Sequence, residues 1–357
     1  MEIGAYSFGD TPRGLDGSLG STAEATANLF EAIVHADEAG LDYFGVGEHH
    51  LPQLPVSSPG TLVAAAAAAT SRIILSSSVS VLSTDDPVRI YQQFATTDAI
   101  APGRVEIVAG RGSTGESFPL FGYALADYDR LYAEKFELLL AINASSDGQV
   151  NWSGTVRTPL TDGLFVVPRP HNGSLPIWLG SGGSAPSSVR AGQLGVPVTY
   201  GIIGGRPSEF SRLAEIYRQT TRQSGHPETR AKVAAGTWGL VAATTKEAQD
   251  RFYPGWLRVR EEMGAPRGWP QGVAGTEQGG IRRHGKPPRG LSCRRPRQRG
   301  GTNSRPQPPH RPHAPLTAGR YRWTAARAVH RAPHAAGNGG QTPRRPPARS
   351  PMNRDFR

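Results

Sequence analysis

Short apolar segments alternate with amphipathic helix patterns seven times between residues 3 and 263. The first helix pattern starts at a capping box formed by Ser21 and Glu24. Strands joined by crossover helices form a parallel sheet, and seven such units in one run favour an eight-stranded barrel over an open doubly wound sheet. We therefore predict an α/β fold, a (β/α)8 TIM barrel over residues 1–270, in which strand and helix eight are missing.

The alternation is interrupted once, at residues 143–175, where aromatic and turn residues predict a small β-hairpin inserted into the barrel. We expect this hairpin and the loop after Gly110 to form the walls of a pocket. Phe118, Phe121 and Tyr123 lie in that loop, and aromatic walls are typical of pockets for apolar ligands. The sequence therefore predicts a small, apolar organic substrate without identifying the molecule.

The last 87 residues, 271–357, differ in composition from the rest of the chain. They carry 18 Arg and 1 Lys against Glu277 and Asp355, a balance of +17, so the total of +11 leaves 11 − 17 = −6 for residues 1–270. Only 6 of the 87 are Leu, Ile, Val or Phe, too few to bury a core that offsets the chain entropy. We predict a disordered, basic tail rich in Arg, Pro and Gly.

The apolar periodicity, the acidic residues and the helix signals all end together near residue 270. A GC-rich coding sequence that is read out of frame yields mainly Arg, Pro, Gly, Ala and His. We therefore predict a frameshift near codon 270 and no eighth strand in the tail; a genuine disordered basic extension is the alternative. A barrel without its eighth strand leaves two strand edges unpaired, so we expect the chain as written to aggregate.

Several classes of protein fit this composition poorly. The only cysteine is Cys293, so no intrachain disulfide can form and a reducing, cytoplasmic location is expected. The longest apolar run, residues 62–69, is less than half of the roughly 20 residues of a membrane-spanning helix. RNA binding through the basic tail is also disfavoured, because the tail has few aromatic residues to stack on bases. They are Tyr321, Trp323 and Phe356.

The second predicted strand runs directly into an acid and two imidazoles, in the segment Gly45-Val46-Gly47-Glu48-His49-His50. Catalytic side chains of a barrel project from the carboxyl ends of its strands, so this segment is a candidate for the rim of an active site. The alternative is that Glu48 pairs with His49 or His50 at a surface turn. Metal binding is disfavoured, because adjacent residues of a strand point to opposite faces.

Two glycine-rich loops follow later strands. Residues 110–113 offer exposed backbone amides and the Arg111 guanidinium, and residues 180–184 precede a helix whose N-terminus favours anions. Together they predict a phosphate site gripped from two sides, although each loop alone could be a tight turn that needs glycine. A dinucleotide fingerprint is disfavoured, because Tyr200 stands where an acid is required.

Five segments, in this order and at this spacing, resemble the bacterial luciferase-like flavin-dependent monooxygenase family over about residues 1–270. They are Gly45-Val46-Gly47-Glu48-His49-His50, Ser83-Thr84-Asp85-Asp86-Pro87-Val88-Arg89, Gly103-Arg104 to Gly110-Arg111-Gly112-Ser113, Phe118-Pro119-Leu120-Phe121-Gly122-Tyr123, and the glycine-rich loop after Pro176-Ile177-Trp178. The resemblance implies a TIM barrel of the luciferase-like type. It also implies binding of reduced FMN, or of the deazaflavin F420 in sister branches, at the carboxyl face.

The resemblance assigns roles to residues of this chain. It implies that His49, with Glu48, is catalytic, that Arg111 binds the flavin phosphate, and that the Ser78-Val79 segment packs on the isoalloxazine ring, often through a cis peptide. The implied cofactor-binding residues are Ser78, Val79, Gly110, Arg111, Gly112, Ser113, Gly182, Gly183, Ser184 and Ser187. No metal is implied.

The resemblance implies a monooxygenase that takes reduced FMN from a separate flavin reductase and uses O2 to oxidise an organic substrate. A role for His49 as acid or base fits an imidazole, which titrates near neutral pH. The alternatives are an F420-dependent dehydrogenase on the same barrel and a non-functional truncated barrel. The family also suggests a homodimer.

Overall fold

The computed structural model describes residues 1–14, 16–203, 207–264 and 324–329. The strands are β1 Glu2–Ser7, β2 Tyr43–Val46, β3 Ile74–Ser77, β4 Ser80–Val81, β5 Val105–Gly110, β6 Gln149–Trp152, β7 Leu160–Phe165, β8 Ile177–Ser181, β9 Val198–Ile202, β10 Val233–Gly239 and β11 Thr324–Val329. The helices are α1 Thr22–Glu38, α2 Pro59–Ala69, α3 Pro87–Ile100, α4 Ser117–Leu120, α5 Tyr128–Ala144, α6 Ala185–Leu194, α7 Pro207–Gln223 and α8 Thr245–Gly264.

Strand pairing closes the sheet into a barrel. Hydrogen bonds link β1 to β2, β2 to β3, β3 to β5, β5 to β8, β8 to β9 and β9 to β10, all in parallel, and β11 joins β10 back to β1. The predicted run of seven strand–helix units in a TIM barrel is confirmed. The predicted hairpin is also confirmed: β6 and β7 form a separate antiparallel pair outside the barrel.

The eighth place in the barrel is filled by a segment of the tail, and the prediction that the tail contains no strand was wrong. β11 pairs with β1 and with β10 through registers such as Ala5↔Ala326 and Gly236↔Arg327. Both pairings are antiparallel, whereas a crossover helix would deliver a parallel strand. An edge offers backbone N–H and C=O groups that any extended segment can pair with, so this strand does not require an apolar sequence. The rest of the predicted disordered tail lies outside the described residues.

Helix starts follow the capping signals of the sequence. The Ser21 hydroxyl accepts a hydrogen bond from the backbone N–H of Glu24 at 3.3 Å, and the Asp86 carboxylate accepts from Val88 N–H at 2.8 Å. Each cap satisfies a backbone donor that the first turn of a helix leaves free. α1 then buries Leu29 and Ile33 against the barrel.

Alternate residues of each barrel strand face the helices and the barrel interior. In β5, Val105, Ile107 and Ala109 belong to the core between sheet and helices, so Glu106, Val108 and Gly110 point inward. A small interior cluster contains Val79, Val108, Trp178 and Ala234. A cis peptide between Ser78 and Val79, which the family resemblance implied, lies between β3 and β4.

Candidate functional site

The predicted site residues all lie at the carboxyl ends of β2, β3, β5 and β8 or in the segments that directly follow them. Because parallel strands of a barrel end on the same rim, these four loops share one face of the molecule. Glu48 and His49 follow β2, Ser78 and Val79 join β3 to β4, and Arg111 follows β5. The remaining glycines and serines of the predicted set lie in residues 110–113 after β5 and in residues 182–187, at the end of β8 and the start of α6.

An apolar platform crosses the upper interior of the barrel. Val79 occupies the space that side chains would otherwise fill: a Cβ built on Gly180 would lie 2.7 Å from its Cγ1, and one on Gly110 would lie 2.8 Å from its Cβ. The Tyr6 ring similarly fills the space beside Gly236. A Cβ on Gly201 would meet nothing within 4 Å, so the interior is open on the β9 side. Apolar side chains beside open space suit a planar ring.

His49 forms a dyad with a carboxylate from another loop. Its Nδ1 lies 2.8 Å from Glu116 Oε1 and 3.2 Å from Thr114 Oγ1, and its ring centroid is 5.0 Å from that of Phe8. Burial raises the pKa of Glu116, but hydrogen bonds from His49 and Thr114 outweigh this effect and hold the pKa at about 2. Glu116 is therefore ionised at neutral pH and can only accept, so Nδ1 carries the proton and Nε2 is the atom left to exchange one.

Glu48 and His50 form a second pair, turned away from the first. Glu48 Oε1 lies 3.1 Å from His50 Nε2, and Glu48 Oε2 accepts a 2.8 Å hydrogen bond from the backbone N–H of Val81. Glu48 does pair with a histidine, His50, as the alternative expected. The pair does not lie at the surface, because both side chains are only 5–6% exposed. Glu48 thus ties the β2 loop to β4 and holds His50, while His49 points elsewhere.

Arg111 and Ser187 meet at a corner between the ends of β5 and β8. Arg111 Nη2 donates to Ser187 Oγ at 3.4 Å, and Ser187 Oγ lies 2.8 Å from Ser184 Oγ, the cap of α6. Arg111 Nη1 also pairs with Asp129 at 2.8 Å, at a carboxylate that is 79% exposed. The corner combines a guanidinium, two hydroxyls and the N-terminus of a ten-residue helix, all of which favour a phosphate.

Two glycines at this corner have backbone angles that other residues rarely adopt. Gly112 has a φ of 82° and Gly183 a φ of 106°, values that favour glycine. A Cβ on Gly183 would also lie 2.8 Å from the Phe210 ring, whereas one on Gly182 would meet nothing within 4 Å. Ser113 lies in the loop beside Gly112.

A buried cation fixes the wall of the site. The Nζ of Lys135 donates to the Ser83 carbonyl at 2.9 Å and lies 4.1 Å from the centre of the Tyr123 ring. Burial lowers the pKa of Lys135 to about 8, partly offset by Asp86 and Asp85. An ion pair also connects the hairpin to the loop after β4: Arg157 Nε lies 3.2 Å from Asp86 Oδ2. These contacts hold α5, the loop after β4 and the hairpin together.

Sequence reasoning missed Glu116, Thr114, Phe8 and Asp129. The segment Thr114-Gly115-Glu116 directly follows the predicted phosphate loop, and a carboxylate at that point was the one signal available. Among the residues that the structure describes, no group of three or more His, Cys, Asp or Glu is arranged to hold a metal ion. No helix in the described part of the chain is long and apolar enough to cross a membrane.

Comparison with known proteins places this geometry in a family. The model of the luciferase-like monooxygenase family matches residues 5–332, so the match continues past residue 270 and includes β11. A solved structure from Pseudomonas putida, the oxygenating constituent of 3,6-diketocamphane monooxygenase in complex with FMN, shares the fold with a TM-score of 0.60 at 20% identity over 75% of each chain.

Two relatives show the range of activities near this sequence. The chain is 28% identical over 247 residues to 4-hydroxyprotoasukamycin monooxygenase of Streptomyces nodosus subsp. asukaensis, a match that covers 68% of this chain and 66% of that protein. It is 31% identical over 180 residues to the F420-dependent glucose-6-phosphate dehydrogenase of Beutenbergia cavernae, covering 48% of this chain and 51% of that protein. The chain thus matches between half and two thirds of the length of these relatives. Because the family model covers most of the chain, the protein belongs to the luciferase-like monooxygenase family.

Proposed function

We propose that this protein is a flavin-dependent monooxygenase that takes reduced FMN from a separate flavin reductase and uses O2 to oxidise an organic substrate. The observation that carries the proposal is the corner where Arg111, from the loop after β5, meets Ser187, from the first turn of α6, at 3.4 Å. Neither residue needs the other for the fold. Their meeting is explained by a phosphate that both would contact.

The residues of the site fit FMN at both of its ends. Arg111 would exchange its exposed pair with Asp129 for the phosphate, a change that costs little because a pair with an exposed carboxylate is weak. The platform of Val79 and Tyr6 would support the ring without placing a charge beneath it. Bound reduced FMN would supply the electrons that activate O2.

The chain would contribute the proton chemistry through His49. Because Glu116 accepts from Nδ1, the imidazole keeps Nε2 available to give a proton to a reacting oxygen or to take one from the substrate. Phe8 against the His49 ring restricts the imidazole and excludes water from one of its faces. Glu48 would act indirectly, by holding the β2 loop against β4.

The substrate and the partner follow from the same proposal. Phe121 lies over His50 with ring centroids 5.1 Å apart and is 51% exposed, so an apolar surface faces the rim of the site. One relative of this chain is named 4-hydroxyprotoasukamycin monooxygenase, and a hydroxylated organic substrate would fit this rim. No nicotinamide fingerprint was found in the sequence, so a reductase is proposed as the source of reduced flavin.

The rival is an F420-dependent dehydrogenase, which one relative of this chain is named as. The phosphate group of F420 would bind at the same corner of Arg111 and Ser187, but the reaction would not require O2. The cofactors can be distinguished by titrating the purified protein with FMN, F420 and riboflavin and following tryptophan fluorescence. Trp178 packs in the interior cluster with Val79, directly below the proposed ring site, and is the expected reporter.

The proposal expects quenching by FMN at lower concentration than by F420, and weaker binding of riboflavin, which lacks the phosphate. Turnover should then require an added reductase and O2. Tighter binding of F420, or turnover with NADH alone and no reductase, would contradict the proposed function.

A further inference from the structure

Asp10 lies at the same rim, on a segment that is anchored at both ends. β1 ends at Ser7, and two residues before Asp10 the Phe8 ring packs against His49 with centroids 5.0 Å apart. One residue after it, Thr11 donates from its backbone N–H to the Gln53 carbonyl at 3.0 Å and from its hydroxyl to the Pro52 carbonyl at 2.6 Å. Both anchors hold Asp10 to the β2 loop that carries His49.

The carboxyl group of Asp10 is surrounded by protein but keeps partial access to solvent. Among the described residues, only its own backbone N–H provides it with a hydrogen bond. The cation beside it, Arg13, is engaged elsewhere: its guanidinium pairs with Glu262 at 2.6 Å and donates to the Gly17 carbonyl at 2.9 Å. Burial raises the pKa of Asp10 to about 7, and the small opposing effects of its own N–H and Arg13 do not offset this.

The structural carboxylates of this chain look different. Asp37 accepts hydrogen bonds from the backbone N–H groups of three successive residues, 71–73, at 2.7–3.1 Å. Asp98 accepts from the N–H groups of Gly103 and His171 at 2.9 and 2.7 Å. Asp98 is buried and offsets the cost of its burial by satisfying these backbone donors, and Asp37, which is only partly buried, satisfies three of them. Among the described residues, Asp10 satisfies no backbone donor except its own N–H. A buried carboxyl that destabilises the fold without satisfying a structural donor is typical of a functional position.

The geometry points to a ligand for this group. We propose that Asp10 is a substrate-binding residue that accepts a hydrogen bond from a hydroxyl or amino group of the substrate, which deepens and rests on the function proposed above. The phosphate corner lies between β5 and β8, whereas β1 adjoins β2, so Asp10 stands at the end of the site that carries His49. Above its pKa, the ionised carboxylate accepts from O–H and N–H donors and offers nothing to an ether or a hydrocarbon.

The test compares Asp10→Ala and Asp10→Asn with wild type, and uses Asp16→Asn as the matched control. Asp16 is an exposed acid of the same loop that bonds to Ser18. The probes are phenol and anisole, which differ in one donor. Their binding to the full chain is measured by ligand-observed NMR at about pH 8, where the Asp10 carboxyl is mostly ionised. We expect wild type and D16N to prefer phenol by about tenfold, since a hydrogen bond to a charged group contributes roughly 1.5 kcal/mol, and D10A to lose this preference. An unchanged preference in D10A would overturn the proposal.

A second measurement separates this role from a structural one. Because the folded-state pKa of Asp10 is raised, its ionisation destabilises the fold increasingly as the pH rises from about 4 towards about 7. D10N should therefore raise the melting temperature at pH 8 and raise it less at pH 5. A lower melting temperature at both pH values would show that Asp10 has a structural role and would contradict the proposal. FMN binding to the wild type is measured in parallel. If the wild type prefers phenol but does not bind FMN, the proposed function is contradicted while the role of Asp10 is not.

Discussion

Replacing Arg111 with alanine should separate flavin binding from folding. In the fold, Arg111 makes an ion pair with Asp129, whose side chain is 79% exposed, and lies 5.3 Å from the centre of the Tyr128 ring. Exposed pairs and exposed cation–π contacts each contribute about 1 kcal/mol or less. The free energy of unfolding should thus fall by roughly 1 kcal/mol.

The effect on FMN affinity should be larger. Removing one partner of a buried charge pair costs roughly 2 to 5 kcal/mol, and the 30% exposure of the Arg111 side chain places this site at the lower end of that range. Releasing Asp129 offsets up to about 1 kcal/mol in the wild type. We expect a net loss of about 2 kcal/mol, which is roughly a 30-fold rise in Kd.

Isothermal titration with FMN and with riboflavin measures this effect directly. Arg111→Ala should weaken FMN and leave riboflavin almost unchanged, because only FMN carries the phosphate. Arg130→Ala is the matched control: this arginine, next to Asp129 in α5, pairs with Asp127 at 2.8 Å and is 50% exposed, so neither ligand should be affected. Equal weakening of both ligands, or unchanged FMN binding, would refute a phosphate contact at Arg111.

Further predictions address the ring site, the dyad and the tail. His49→Ala should retain FMN and lose turnover, while the control His35→Ala, at an exposed pair, should change neither; a loss of folding in His49→Ala would indicate a structural role. Gly201→Val should keep the melting temperature, because nothing lies within 4 Å of its Cβ, but should weaken FMN at least tenfold by filling open space; unchanged affinity would move the ring elsewhere. Glu116→Gln should lose on the order of 2 kcal/mol of stability at pH 7, since the pKa of Glu116 is held at about 2 against 4.5, and this difference should vanish as the pH falls through that window in thermal melts. The frameshift near codon 270 remains a prediction: one of the two other reading frames downstream should encode a β-branched strand and an amphipathic helix before a stop, and their absence from both frames would exclude it.

The sequence by itself determined the order of the elements and the loops that carry the site. Caps such as Ser21 and Asp86, and apolar stripes such as Leu29 with Ile33, act over a few residues, so they can be read without knowing the fold. The barrel follows from the alternation, because crossover helices leave parallel pairing as the usual outcome. The position of Arg111 after a strand and of Ser187 near the start of a helix follows in the same way.

Only the tertiary structure decided which groups meet. His49 and Glu116 are 67 positions apart, and Arg13 and Glu262 are 249 apart, so no local pattern reports either pair. The same holds for the tail strand that closes the barrel in an antiparallel direction, which the sequence interpretation excluded because the tail is poor in apolar residues. Periodicity records which face of an element is buried, since burial selects residue type at fixed spacing. It does not record which side chain of a distant loop lies opposite, because that depends on how eight strands close on one another. The contact of His49 with Glu116 and the burial of Asp10 are decided at that level.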